Sequence, residues 1–408
     1  MLQNCSKAFR TYTVPLSLKT VAVAVRKFRR RPPPCSSSSC RRFAAIADRR
    51  HHGHDRFLLS SSVPSKIVDV TELAEQMRAE VREYTSKSKE PIRLAGLLAV
   101  DAMPDLEDAE IYSNHIAERL KEDGIEYEHV FCRGYEPEDV EAAIEEMNNR
   151  KDVHGILVYY PIFRKRSEEE HDRHQRKHGP YMNAKTGVYY KSYDDYLRDV
   201  VSPEKDVEGL SSNYNSRWYF RTRGFTHRRK KGEIYIPCTA LAVGRILEAY
   251  HVFPTNTNAT DKTSNQQWLD TTATVINRSE IMGRPLAAML ALKGADVYSV
   301  DENSILLFRH GGKMRRCNEP HIDLDWCLAQ SSIVVTGVPS SDFQLSAHSI
   351  ATETATIVNV SEFSNVDEES IMERPGISYI PKVGKITVAA LEQNLISLHQ
   401  RSKARWDS

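Results

Sequence analysis

The residues with the clearest potential chemistry lie in the stretch VINRSEIMGRPLAAMLALKGADVYSVD, residues 275–301. The stretch reads as a strand, a turn, a helix and a second strand that ends in a carboxylate. A nucleotide phosphate binds backbone N–H groups at a helix N-terminus, where the chain must come close to the ligand. Because only Gly283 of the usual glycines is in the turn, the pattern fits either a cofactor site or an ordinary βαβ connection.

The other residues of the turn can replace the missing glycines. Asn277 tolerates left-handed backbone angles, so it can stand where a glycine would. Arg278 and Ser279 offer donors for phosphate oxygens, and Gly283 permits close approach of the backbone. Pro285 suits a first helical turn. These features favour a phosphate-binding turn without excluding a plain connection.

Asp301 narrows the choice of cofactor. It follows the second strand, close to the ~20-residue spacing that is typical of the acid that binds the adenosine ribose. A carboxylate at this position accepts hydrogen bonds from two ribose hydroxyls and repels a 2′-phosphate. The pattern therefore predicts NAD rather than NADP. The alternative is a solvated aspartate at the end of a strand.

The segments around this stretch predict an α/β fold that holds parallel sheets. Apolar runs rich in β-branched residues predict buried strands, and amphipathic segments predict helices between them. In the first half we expect helices at 68–85, 110–125 and 137–149 and strands at 92–100, 127–132 and 155–162. In the second half we expect strands at 272–278, 295–301, 331–339 and 354–361 and a C-terminal helix at 387–403. A helix at 237–253, entered through Pro237, is expected to bridge two domains.

Composition and charge exclude several classes of protein. The 408 residues are 40% hydrophobic and 27% charged, which is typical of a globular chain large enough for two domains. The sequence contains no apolar run of about 18 residues, so no membrane-spanning helix is expected. A net charge of +1 argues against nucleic-acid binding by the whole protein. Seven dispersed cysteines suit a reducing compartment better than a disulfide framework.

Two segments stand apart from the predicted domains. Residues 1–47 contain no acidic residue and include the run Arg29-Arg30-Arg31, a composition typical of a mitochondrial transit peptide. A disordered basic tail, or a predicted start that is too long, is the alternative. The charged segment 164–192 and the polar segment 256–268 predict surface loops. His171, His174 and His178 lie in the first loop without acidic or cysteine partners, so we expect no metal site.

The sequence blocks resemble the methylenetetrahydrofolate dehydrogenases, the FolD-like enzymes of one-carbon metabolism. Residues 275–301 resemble the family segment "GRSxxVGxPxAxLL". Further family blocks follow the expected order and together cover most of residues 66–400: GILVYYPI (155–162), SPEKDVEGL (202–210), IPCTALAV (236–243), IVVTGVP (333–339) and YIPKVGKITVAALEQN (379–394). The pattern is most similar to the fungal monofunctional NAD-dependent branch.

The resemblance implies an N-terminal folate-binding α/β domain, a Rossmann-type dinucleotide-binding domain and a C-terminal helix that returns to the first domain. The expected boundaries are 1–64 for the basic extension, 65–236 for the folate domain, 237–378 for the NAD domain and 379–408 for the C-terminal segment. The implied reaction is oxidation of 5,10-methylenetetrahydrofolate by NAD, in purine-linked metabolism. The implied assembly is a homodimer in the cytoplasm, and the mitochondrial matrix is the alternative compartment.

The resemblance also carries roles onto individual residues of this sequence. The implied catalytic residues are Glu208, Cys238 and Tyr159, and the implied folate-binding residues are Tyr112, Tyr159, Asp206 and Glu208. The expected cofactor-binding residues are Asn277, Arg278, Ser279, Gly283, Arg284, Pro285, Asp301, Gly337 and Val338. Other roles stay open: the acids could cap a turn, the tyrosines could belong to the core, and Cys238 could be an inert buried thiol.

The departures from the family pattern predict which activity is lost. Bifunctional members carry a lysine needed for cyclohydrolase chemistry where this chain has Ile116, and an alkyl group cannot transfer a proton. The supporting glutamine is Tyr159, the second aspartate of KDVDG is Glu208, and the glycine-rich turn at 381–385 has become charged. We therefore expect a dehydrogenase without cyclohydrolase activity. The alternatives are a family member that binds without turnover and a different two-domain dehydrogenase of the shikimate type, which the KDVEG and PCT blocks disfavour.

Overall fold

The structure is a computed structural model, and it describes residues 63–103, 106–134, 136–163, 181–182, 189–190, 192–211, 236–251, 268–309 and 313–406. Nearly all of the basic extension 1–64 therefore lies outside the described residues. The same holds for the three histidines of the 164–192 segment and for most of the 256–268 segment.

The first domain is a short parallel sheet covered by helices. Its strands run in the order β3-β2-β4, and all pairs are parallel. In chain order the N-terminal part contains β1 (Lys66–Ile67), α1 (Thr71–Lys87), β2 (Ile92–Ala99), α2 (Leu106–Glu122), β3 (Ile125–Cys132), α3 (Pro137–Asn149), β4 (Gly155–Val158), β5 (Tyr181–Met182), β6 (Tyr189–Tyr190) and α4 (Tyr193–Val200). The central strand β2 is buried along almost its whole length, as its apolar sequence predicts.

The second domain is an eight-stranded sheet in the order β1-β13-β12-β11-β7-β8-β9-β10. Its elements are α5 (Cys238–Tyr250), β7 (Thr272–Ile276), α6 (Gly283–Lys293), β8 (Asp296–Asp301), β9 (Ser304–Arg309), β10 (Lys313–Cys317), α7 (Leu324–Gln330), β11 (Ile333–Thr336), β12 (Ala355–Asn359), α8 (Glu368–Glu373) and β13 (Ile377–Ile380). The strand order reverses beside β7, between β11 and β8. Ligands of open α/β sheets bind at such a reversal, outside the carboxyl ends of the strands.

Elements from both ends of the chain tie the domains together. The C-terminal helix α9 (Gly384–Trp406) packs against α1, α5 and β4. Strand β1 lies within the range 65–236 expected for the first domain, but it pairs in parallel with β13 and forms one edge of the second sheet. The predicted return of the C-terminal helix to the first domain is therefore confirmed.

The structure departs from the sequence expectations in a few places. The strand expected at 155–162 ends at Val158, and the residues after it form the wall of a cavity instead. The antiparallel pair β9 and β10 is not evident from the sequence, because the KMRRC sequence of β10 is charged and almost fully exposed. Charged residues on an edge strand protect it from pairing with another sheet. The short strand β13 was also missed.

Candidate active site

A cavity of about 230 Å³ lies where elements of both domains meet. The first domain contributes residues from α2, from the end of β4, from α4 and from the turn at 206–210. The start of α5, the turn before α6 and the helix α9 close the other sides. The lining side chains are mostly apolar or aromatic, with one acid and one base: Tyr112, Ile116, Leu157, Val158, Tyr159, Tyr160, Arg198, Glu208, Leu210, Pro237, Cys238, Thr239, Ile281, Thr387, Val388 and Leu391.

Two tyrosines form an aromatic corner of this cavity. The rings of Tyr112 and Tyr159 meet edge to face, with centroids 6.1 Å apart and an interplanar angle of 88°. Tyr112 is 45% exposed, whereas Tyr159 is buried. Desolvation of its hydroxyl at the cavity wall, together with the nearby Glu208, raises the pKa of Tyr112 to about 12, although part of the ring is exposed. Burial raises the pKa of Tyr159 further, so both phenols stay neutral at physiological pH. Neutral aromatic faces of this kind suit a flat heterocycle.

The hydroxyl of Tyr159 begins a chain of hydrogen bonds that sequence reasoning missed. Its oxygen lies 2.8 Å from the hydroxyl of Tyr127, which lies 2.8 Å from Oγ of Ser113. Gly96 makes room for Tyr127, because a Cβ at that position would lie 1.7 Å from the phenol oxygen. Only the pairing of β2 with β3 brings Gly96 and Tyr127 together, so no local pattern could reveal this contact.

Ile116 lies one helical turn after Tyr112 on α2 and is buried at the cavity wall. Its side chain presents only carbon to the cavity, so this wall can exclude water but cannot donate or accept a proton.

The two acids of the KDVEG block have different surroundings. Asp206 is buried, and its carboxylate accepts hydrogen bonds from the backbone N–H groups of Gly209 at 2.9 Å and Ser211 at 2.8 Å. Glu208 lines the cavity. Burial raises the pKa of Asp206 to about 6; burial together with the nearby Asp206 raises that of Glu208 to about 8. Asp206 therefore holds the turn, and Glu208 presents an ionisable group to a ligand.

Cys238 lies at the first turn of α5, on the cavity wall. Its Sγ is 3.3 Å from the carbonyl oxygen of Val207 and donates to it, and the side chain is buried. Burial and the neighbouring acids raise the pKa of the thiol well above its usual range. The reactive form of cysteine is the thiolate, so these surroundings favour an inert thiol.

The nucleotide turn between β7 and α6 has the backbone geometry that its sequence predicts. Asn277 has a φ of 79°, in the left-handed region, and its Nδ2 donates to the carbonyl oxygen of Gly337 at 2.5 Å. Helix α6 begins at Gly283, and a Cβ at that glycine would lie 1.9 Å from the carbonyl oxygen of Asn277. Pro285 is buried within the first helical turn. The backbone is thus arranged for close approach of a ligand to a helix N-terminus.

Two predicted phosphate donors of this turn make internal bonds instead. Oγ of Ser279 accepts hydrogen bonds from the backbone N–H groups of Met282 and Gly283, at 3.3 and 3.2 Å. The guanidinium of Arg278 turns towards β8 and β9, where it bonds to Ser299 and Ser304.

The remaining cofactor candidates surround the carboxyl ends of the strands. The carboxylate of Asp301 is 43% exposed at the end of β8, and its Oδ2 lies 3.7 Å from Nη1 of Arg278. Arg284 forms an ion pair with Glu280 at 2.8 Å. After β11, the backbone N–H of Gly337 bonds to Ile276, and that of Val338 bonds to the side chain of Asn365. The exposed acid and the close backbone turns fit a dinucleotide with free ribose hydroxyls.

Sequence reasoning also missed Arg198 and Tyr160, which line the cavity. Arg198 lies on α4, just after the charged segment 164–192, whose composition predicts only a surface loop. In the described part of the chain, no group of three or more His, Cys, Asp or Glu side chains could hold a metal ion. Among the described helices, none is long and apolar enough to cross a membrane.

The fold and site define a class: an α/β enzyme-like protein with a nucleotide-binding turn beside an apolar cavity that contains one ionisable acid.

The comparisons with known proteins identify the family. A family model described as "Tetrahydrofolate dehydrogenase/cyclohydrolase, catalytic domain" matches residues 68–173. The "Methylenetetrahydrofolate dehydrogenase [NAD(+)]" of Dictyostelium discoideum is 34% identical over 81% of this chain and 93% of its own length. The protein of the same name from Schizosaccharomyces pombe is 32% identical over 82% of this chain and 92% of its own length. The chain therefore belongs to the methylenetetrahydrofolate dehydrogenase family.

Solved structures agree with this family. The structure of the NAD-dependent 5,10-methylenetetrahydrofolate dehydrogenase from Saccharomyces cerevisiae matches with a TM-score of 0.65 and 28% identity, over 84% of this chain and 99% of that one. The bifunctional FolD enzyme from Campylobacter jejuni, at 21% identity and a TM-score of 0.58, shares the fold. The predicted family, and its NAD-dependent branch, are confirmed.

Proposed function

We propose that this protein oxidises 5,10-methylenetetrahydrofolate to 5,10-methenyltetrahydrofolate with NAD as hydride acceptor. The observation that carries the proposal is the position of Glu208 in an aromatic cavity, which Ile281 of the nucleotide turn also lines. The named NAD-dependent relatives align with 81% and 82% of this chain and support the same reaction.

The residues of the nucleotide turn fit NAD. Asn277 and Gly283 shape a turn that a side chain at position 283 would block, and Asp301 offers an exposed carboxylate to ribose hydroxyls. NAD, when bound, supplies the carbon that accepts the hydride. Everything else required is orientation, exclusion of water and electrostatics, which the chain provides.

The cavity residues would hold the folate for this step. Tyr112 and Tyr159 offer aromatic surfaces to its flat rings, and the carboxylate of Glu208 accepts hydrogen bonds from the donors of the pterin. Hydride loss leaves a positive charge on the folate, so a fixed carboxylate stabilises the product and the transition state before it. Cys238 serves as a wall of the cavity.

We also propose that the protein lacks cyclohydrolase activity. The carbon surface of Ile116 and the neutral phenol of Tyr159 leave this wall without the lysine and glutamine that the bifunctional family pattern implies. Homodimer formation and a cytoplasmic location, with the mitochondrial matrix as the alternative, remain proposals on family grounds. Light scattering tests the first, and microscopy of the full chain against one starting at Ser65 tests the second.

The deciding experiment is an assay of hydride transfer to NAD and to NADP with 5,10-methylenetetrahydrofolate as substrate. We expect NADH formation with a clear preference for NAD and no hydrolysis of added methenyltetrahydrofolate above the uncatalysed rate. Binding of NAD without NADH formation would favour the non-catalytic alternative. Equal use of NADP would contradict the role of Asp301.

A further inference from the structure

The cavity contains one opposed pair of charges. Among the described residues that line it, Arg198 is the only base and Glu208 the only acid. Two contacts fix the guanidinium of Arg198: its Nη1 donates to Oδ1 of Asp195 at 2.7 Å, and its Cζ lies 5.0 Å from the ring centroid of Tyr160. A guanidinium held by an acid and an aromatic ring loses much of its freedom before any ligand binds.

Arg198 also keeps a hydrogen-bond donor unused. Its Nε and the hydroxyl of Tyr160 are both buried, and neither has a hydrogen-bond partner within the described part of the chain. A buried donor without a hydrogen-bond partner destabilises the folded chain. Two such groups at the wall of one cavity therefore point to a ligand that offers them acceptors.

Several elements place titratable groups around Glu208. They are Asp206 on its own turn, Arg198 on α4, Tyr160 after β4, Tyr112 on α2 and Cys238 on α5. Burial and Asp206 favour the neutral acid, whereas Arg198 favours the carboxylate. Arginine keeps its charge at every pH that the protein meets, and a charge acts more strongly in a cavity than in bulk water.

We propose that Arg198 is a positioning residue for the folate reaction, which favours the ionised form of Glu208, the form that receives the pterin and stabilises the methenyl cation. This inference rests on the proposed function and deepens it. Arg198 acts through Glu208 and takes no part in hydride transfer. The unused donors at Nε and on Tyr160 meet acceptor atoms of the bound folate.

The test is the pH profile of kcat/KM for 5,10-methylenetetrahydrofolate, from about pH 6 to about pH 10. Loss of the positive charge raises the pKa of Glu208, so the acidic limb of the Arg198→Gln profile should move upward by about one pH unit. At neutral pH kcat/KM should fall about tenfold, and alkaline pH should restore most of it. Arg198→Lys should keep most of the wild-type profile. An acidic limb of Arg198→Gln that coincides with wild type overturns the proposal.

A matched control comes from α5. Arg245 donates to Glu248, three residues further along the chain, at 3.4 Å. Arg198 likewise pairs with an acid three residues away, Asp195. Arg245, however, does not line the folate cavity. Arg245→Gln should leave the pH profile unchanged. If Arg198→Gln only damaged the fold, activity would be lower at every pH. Recovery of activity at alkaline pH would instead indicate that the variant has lost the electrostatic effect on Glu208.

A second readout keeps this inference distinct from the proposed function. Calorimetry of tetrahydrofolate binding to the same variants, repeated across the same pH range, gives a pH profile of affinity that reports on Glu208 without turnover. If wild type forms NADH and the pH profiles of kcat/KM and of tetrahydrofolate affinity both stay unshifted in Arg198→Gln, only the role of Arg198 is wrong. If wild type forms no NADH but binds tetrahydrofolate with the predicted shift, only the proposed reaction is wrong. If wild type binds no tetrahydrofolate, both are wrong.

Discussion

The nucleotide turn and the folate cavity use the chain in opposite ways. In the turn, the backbone forms the site: Asn277 adopts a left-handed φ, and Gly283 allows close approach of a ligand. The side chains of Arg278 and Ser279 bond to other groups of the protein. In the cavity, the chemistry comes from side chains that distant segments bring together. A backbone site should fail when an atom is added to it, whereas a side-chain site should fail when one group is changed.

The largest effect is expected at Glu208 in the cavity. Glu208→Gln keeps the shape and removes the ability to ionise, so we expect kcat/KM for the folate to fall about 10²- to 10³-fold, as for the loss of one stabilising group at a developing charge. Steady-state kinetics at saturating NAD would measure the loss. Activity within twofold of wild type would contradict the electrostatic role of this acid.

Glu208→Gln should also raise stability, by an amount that grows with pH. The pKa of Glu208 in the folded chain is about 8, above its ordinary value, so its contribution to stability is full in acid and is lost as pH rises through 8. The substitution should therefore raise the midpoint of thermal unfolding more at pH 9 than at pH 5. An equal effect at both pH values would contradict the raised pKa.

The next largest effect is expected at Gly283 in the turn. Gly283→Ala adds a Cβ that would lie 1.9 Å from the carbonyl oxygen of Asn277, so the backbone must shift. Overpacking of this kind costs about 1–3 kcal/mol of stability, and the displaced turn should weaken NAD binding about tenfold or more. Calorimetric titration with NAD and thermal unfolding would measure both. Gly384→Ala is a control, because a Cβ there meets nothing within 4 Å.

The two regions also differ in how far the sequence could predict them. The turn is a local pattern, and residues 275–301 were sufficient to predict its strand, helix, left-handed Asn277 and terminal acid. The cavity depends on contacts between α2, β4, α4 and α5, so its residues came from family resemblance. Tyr127, Arg198 and Tyr160 were missed, because only strand pairing and helix packing bring them to the site.

A smaller effect is expected at Asp301, which should govern the choice of cofactor more than the rate. Asp301→Ser removes the charge that repels a 2′-phosphate and keeps a hydroxyl for the ribose. We expect the ratio of kcat/KM for NAD over NADP to fall about tenfold, or about 1.4 kcal/mol. Parallel assays with the two cofactors would measure the ratio. An unchanged ratio would place cofactor choice elsewhere, for example in the neighbouring Arg278.

The smallest effect is expected at Cys238, the cavity residue whose chemistry the structure suppresses. Its thiol donates to the carbonyl of Val207, lies 3.5 Å from Nδ2 of Asn394 and has a raised pKa. We therefore expect iodoacetamide to modify Cys238 at no more than a trace level in the native protein and completely after unfolding in guanidinium, as measured by peptide mass spectrometry. The half-buried Cys317, whose pKa is raised less, should react faster and serves as the internal control. Rapid native labelling of Cys238 would show a reactive thiolate, and the role of Cys238 as an inert wall of the cavity would then be wrong.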